Sequence, residues 1–311
     1  MTIEKFAEKV KEMLTEEVSE YAIVLTGTVL KNNGVIWHNI TIKRKNMSVG
    51  MSIYLEKFFM EYCNRQKELK DIVREIITIE NSSDMEIDIT KWFVDYEKVK
   101  EKIRYKLVNY EKNRELLKKI PHEKFLDLVK VYYVNVEFYN VQKGKIMIYN
   151  DHIKAWGITE SEIKEIAEKN MENLIPGMIL PMEDMILNLV RSSEVDFKTE
   201  LEIEEAIEEM FVQPEVRMYV ATNKENVYGA ALMCYSDIIK KFAHKMKSDF
   251  YILPSSVHET ILVPAEDGKI WHLEYLKDIV KDINMREIPE EEILSDSVYF
   301  YDRATDRITL L

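Results

Sequence analysis

The chain has 311 residues, 46% hydrophobic and 32% charged, with only 8 Gly and 7 Pro. That balance fits a folded globular protein with two or three cores and excludes disordered, fibrous and low-complexity classes. Lys plus Arg number 43 against 56 Asp plus Glu, a formal net charge of −13, which repels phosphate backbones and argues against direct nucleic-acid or anionic-membrane binding.

Residues 2–16 place Ile3, Phe6, Val10 and Leu14 at helical spacing. Two β-branched runs follow within 21–45, joined by Asn32-Asn33-Gly34, a hairpin signal because both turn positions need positive φ. A helix is predicted over 53–79, with a break at Asn81-Ser82-Ser83. Trp92, Tyr96, Val99, Ile103, Leu107 and Tyr110 form a sustained stripe that predicts a long helix from Ile89 towards Pro121. A second hairpin is predicted over 127–139 and 144–150, turning at 142–144. Thr159 and Glu162 then read as a capping box opening a helix that runs to Asn173. Beyond it come a strand at 217–223, a helix at 228–246, strands at 249–253 and 259–264, a helix at 270–286 and a hairpin of 297–301 with 307–311.

Hairpins interrupted by helices predict an α+β fold of antiparallel sheets in two or three subdomains, not βαβ units. The expected divisions are a helix–hairpin–helix subdomain over 1–120, a hairpin–helix subdomain over 121–193, an acidic connector over 194–216 and a C-terminal α+β subdomain over 217–311. The connector carries Glu194, Asp196, Glu200, Glu202, Glu204, Glu205, Glu208, Glu209 and Glu215 against Lys198. Along 98–119, Lys98, Lys102 and Lys106 form an i, i+4 basic stripe, read as a solvated face in preference to a dock for an anionic partner.

Neither GxGxxG nor GxxxxGK[ST] nor GxSxG occurs, which excludes the motif-bearing nucleotide-binding and lipase-type classes. His258-Glu259 begins like HExxH, but Leu262 stands at the second histidine position. His38, His122, His152, His244, His258 and His272 include no pair spaced for joint ligation on one element, so no metal and no cofactor is expected. Cys63 and Cys234 read as buried, reduced thiols, and Trp37, Trp92, Trp156 and Trp271 as core or core-edge residues. The N-terminus lacks the apolar core of a signal peptide, and the expected compartment is the cytoplasm without membrane attachment.

One loop concentrates chemistry. Leu253-Pro254-Ser255-Ser256-Val257-His258-Glu259 offers Ser255, Ser256, His258 and Glu259 as catalytic candidates, but more simply reads as a turn whose hydroxyls bind local backbone. Strand alternation sends His258 and Glu259 to opposite faces but lets Ser256 and His258 share one.

Asn223, Gly229, Ala230, Leu253-Pro254-Ser255-Ser256, His258-Glu259 and Pro264, with Leu294-Ser295-Asp296, Tyr299, Tyr301 and Asp302, resemble the bacterial domain of unknown function 5688. The likeness extends through Asn32-Asn33-Gly34 and Ile53-Tyr54-Leu55-Glu56 to most of the chain, while 156–174 is similar to a second uncharacterised bacterial family. The resemblance implies a cytoplasmic bacterial protein, found mainly in Gram-positive anaerobes, and carries over no catalytic residues. The expected function is a non-catalytic protein-interaction or regulatory protein with a protein partner. The alternative is a hydrolase-like enzyme whose cross-domain site includes loop 254–259.

Overall fold

The computed structural model describes residues 1–47, 50–82, 89–137, 143–192, 217–234, 236–254, 256–265 and 273–311. In chain order the elements are α1 (Ile3–Val18), β1 (Ala22–Leu30), β2 (Ile36–Arg44), β3 (Met51–Tyr54), α2 (Glu56–Cys63), α3 (Leu69–Ser82), α4 (Ile89–Phe93) and α5 (Tyr96–Val99). Next come β4 (Ile103–Asn109), α6 (Arg114–Leu117), β5 (His122–Phe125), β6 (Leu128–Glu137), β7 (Lys143–Met147), α7 (Asn150–Trp156) and α8 (Glu160–Leu174). The remainder are β8 (Gly177–Pro181), α9 (Met182–Ser192), β9 (Tyr219–Asn223), α10 (Ser236–Met246), β10 (Phe250–Leu253), β11 (Thr260–Pro264), α11 (Leu273–Arg286), β12 (Tyr299–Asp302) and β13 (Arg307–Leu310). The fold is α+β, and its paired strands with described register run antiparallel.

Two compact units result, one of Met1–Lys102 with Val134–Thr159, the other of Ile103–Tyr133 with Glu160–Leu311. In the first, α1 lays Phe6, Val10 and Leu14 against Val24, Ile40 and Ile42 of the sheet β1-β2-β3. Thr2 caps α1 by accepting the Lys5 N–H. Asn33 and Gly34 adopt φ of 58° and 78°, the left-handed pair that the hairpin reading required. The predicted 53–79 helix is instead β3, α2 and α3. Arg65, at φ 56°, breaks the path between the two helices, and Arg44 donates to Glu80 at 2.6 Å beneath the end of α3. Cys63 ends α2 exposed, which corrects its expected burial.

In the second unit, a six-stranded sheet has the order β13-β12-β10-β11-β9-β8. Its core includes Leu253, Val263, Leu276, Val280 and Val298, the last three from α11 and the segment before β12. A second sheet sets β4 and β5 on either side of β6. The helix predicted from Ile89 towards Pro121 is instead the short α4 and α5 and a 3-10 turn at Lys100–Lys102, and Ile103–Asn109 is strand. The sequence IRYKLVN also alternates with period two. Ile103, Tyr105 and Leu107 are buried on one face, and on the other the buried Arg104 reaches Glu225. Tertiary burial of a β-branched and aromatic run outweighs the helix propensity of its Arg and Lys. The basic stripe dissolves with the helix: Lys98 pairs with Asp95 at 3.2 Å, and Lys106 lies 4.6 Å over the Tyr228 ring. The acidic stretch 194–216 lies outside the described residues, as do Trp271 and His272.

Candidate functional site

Loop 254–259 joins β10 to β11, whose ladder runs from Phe250 opposite Pro264 to Leu253 opposite Ile261. Ser256 is 2% exposed. Its hydroxyl donates to Glu259 Oε1 at 2.7 Å and accepts the His258 N–H at 2.9 Å. Its own N–H donates to the Glu259 carbonyl at 3.3 Å. These are the bonds of a serine turn, in which the side chain replaces a backbone partner. Ser255 lies outside the described residues.

The His258 ring points elsewhere. Nδ1 accepts the Tyr228 N–H at 3.3 Å, which assigns the ring proton to Nε2, 3.4 Å from Glu292 Oε1. The ring stacks on Tyr228 with centroids 5.6 Å apart and 13° between planes. Ser256 and His258 are therefore joined through the backbone N–H of His258, not through its imidazole. A serine nucleophile needs an imidazole nitrogen at its hydroxyl. Here the hydroxyl proton faces the Glu259 carboxylate, and the unprotonated ring nitrogen is closed by an amide.

The preceding connection explains more of the sequence. Asn223 Oδ1 accepts the N–H groups of Glu225 at 2.9 Å and Val227 at 3.4 Å, while Nδ2 donates to the Val227 carbonyl at 2.9 Å. That wrapped loop turns Asn226 and Tyr228 to φ of 50° and 57°. A Cβ on Gly229 would meet Thr222 Oγ1 at 2.2 Å and the His258 carbonyl at 2.4 Å, so the close passage of two backbones requires glycine there. Arg104 reaches both oxygens of Glu225 at 3.2 Å, and Tyr133 meets Tyr228 edge-on at 5.4 Å.

Leu294-Ser295-Asp296 serves a second polar cluster around Asp127, a residue that no motif singles out. Asp127 accepts from Ser295 at 2.7 Å, Ser297 at 3.0 Å and the Tyr299 hydroxyl at 2.6 Å. Burial, then the adjacent carboxylate, pushes the Tyr299 phenol above its ordinary range. A third cluster holds the nearly buried Lys130 between Glu168 at 2.8 Å and Glu123 at 3.3 Å. The Cys234 thiol is pushed up to about 12 by burial and is protonated at neutral pH. Among the described residues no group of three or more His, Cys, Asp or Glu could hold a metal ion, and no helix is long and apolar enough to cross a membrane.

A different kind of surface lies in the N-terminal unit. Lys31 N–H donates to the Val35 carbonyl at 2.7 Å and Lys45 N–H to the Tyr21 carbonyl at 2.9 Å. With Ala22 opposite Arg44 through Leu30 opposite Ile36, the odd-numbered residues of β1 bond to β2. The N–H and C=O groups of Ala22, Val24, Thr26, Thr28 and Leu30 face the open edge. No strand pairs with that edge among the described residues. Ile23 is 52% exposed, Leu25 51% and Ile36 58%. AIVLTGTVL carries no charge, proline or bulge, the devices by which sheet edges are usually blunted.

No curated protein and no solved structure matches the chain. The family model that matches is described as a family of unknown function, DUF5688, and it aligns with residues 3–303. That match takes in the Asn223–His258 connection, the Asp127 cluster and the open β1 edge alike, and on it the chain belongs to the DUF5688 family.

Proposed function

We propose that the chain is a non-catalytic protein-interaction or regulatory protein of the bacterial cytoplasm, and that it docks its partner through the N-terminal unit. The observation that carries this role is the uncharged edge of β1, with which no strand pairs among the described residues, beside the exposed Ile23 and Leu25. Main-chain groups on such an edge supply affinity by strand addition, and alternate side chains supply selectivity. The internal engagement of Ser256 and His258 supports the same role by leaving loop 254–259 with architectural work.

A photo-crosslinking residue in place of Leu25, introduced in a native host, tests it. A defined protein adduct is expected, to persist in Ser256→Ala and to vanish when Ile23→Lys is added. A hydrolytic activity lost in His258→Ala at unchanged melting temperature would replace docking with the enzyme alternative.

A further inference from the structure

We propose that the occupant of the β1 edge is a second copy of this chain, paired antiparallel, strand against strand, about a two-fold axis at Thr26. This rests on the docking role and names its partner. The strand has nine residues, and the register that overlaps all of them sets Thr26 opposite Thr26 of the second copy. Val24 then faces Thr28 and Ala22 faces Leu30, so edge-directed amides oppose edge-directed amides, as an antiparallel ladder requires. A slip by one residue would set them against residues whose amides already bond to β2.

The same register places Ile23 opposite Val29 and Leu25 opposite Gly27 on the exposed face, and the apolar row continues across the axis. The strand is neutral, so pairing it with its own copy sets no like charges opposite one another. Lys31, at its end, keeps its ammonium away from the edge, over the Tyr54 and Trp37 rings at 3.8 and 4.8 Å. The carboxylate beneath the strand centre, Glu8, already accepts the Thr26 hydroxyl at 2.9 Å and pairs with Lys11 at 3.5 Å.

Sedimentation equilibrium of the full chain up to about 100 µM tests the pairing, with Thr26→Pro as the variant. The Thr26 amide points at the open edge, so proline there leaves the bonds to β2 intact. A concentration-dependent dimer is expected, weakened about tenfold or more in Thr26→Pro with unchanged circular dichroism. Register is read separately with Thr26→Cys in a Cys63→Ser background, which removes the exposed native thiol. Opposed ladder positions about 5.5 Å apart admit a disulfide, so Thr26→Cys is expected to form a covalent dimer and Thr28→Cys is not. A wild type that stays monomeric, a dimer that Thr26→Pro leaves intact, or equal crosslinking at both positions overturns the pairing. If the monomer still gives an adduct with another protein from position 25, self-pairing fails and the docking role stands.

Discussion

Loop 254–259 and strand β1 are opposites in how they use their bonding groups. The loop is crowded with chemistry, yet Ser256, His258 and Glu259 bond to one another, to Tyr228 and to Thr222. The strand has no ionisable residue, yet about half of its amides and carbonyls face an edge with which no strand pairs among the described residues, and Ile23 and Leu25 are exposed. A buried polar group must find partners where it lies, so a dense polar motif is most economically an internal framework. An exposed edge keeps its capacity for a partner that the chain does not itself supply.

The sharpest way to break this contrast is to strip the polar framework. Asp127→Ala leaves three hydroxyl donors without their shared acceptor, and the expected loss is about 3 kcal/mol in urea denaturation. Association through β1 is expected to be unchanged. Gly34→Val forces a β-branched residue to a φ of 78° and is expected to cost about 2 kcal/mol. Because that turn aligns β1 with β2, it is the one destabilising change expected to weaken docking as well. An unchanged denaturation midpoint would separate the turn from the strand.

Ser256→Ala removes a hydroxyl that both donates to Glu259 and accepts the His258 amide, an expected loss of about 1.5 kcal/mol. Function in that variant should follow stability alone. A fully stable Ser256→Ala protein that loses its cellular role would put chemistry back into the loop. The smallest expected effect is on the acid side. Lys240, then the Tyr301 hydroxyl, holds the Asp306 carboxyl below its ordinary value of 3.8. A depressed carboxylate adds stability that is complete above the unfolded value and disappears as pH falls through the folded one. Asp306→Asn should therefore flatten a slight stability loss below about pH 4 and change nothing near neutrality.

What was legible in the sequence follows the range of the interactions. The Asn32-Asn33-Gly34 hairpin, the start of α8 after Thr159 and the β10–β11 pair were all readable, because their causes lie within a few residues. The strand Ile103–Asn109 was not, since its alternation competes with an equally good helical stripe and only burial on both faces decides. β8 and α9 were likewise not predicted, since no element was read between Asn173 and the acidic stretch. In the candidate site, Ser256 and His258 were visible by residue type, but the direction of the imidazole depends on Tyr228 and Glu292, distant in sequence. Asp127 gave no local signal, because its partners lie more than 160 residues away. The open edge of β1 is written in the absence of charge from AIVLTGTVL, a signal easily passed over beside a run of Ser, His and Glu.

Amide hydrogen exchange resolved by residue tests the contrast most directly. In dilute protein, the amides of Val24, Thr26 and Thr28 should exchange rapidly, while those of Ile23, Leu25 and Gly27, bonded to β2, and of His258, bonded to Ser256, stay protected. As concentration rises, Val24, Thr26 and Thr28 should become protected together, with His258 unchanged. Equal protection along β1 at every concentration, or fast exchange at His258, would contradict the account.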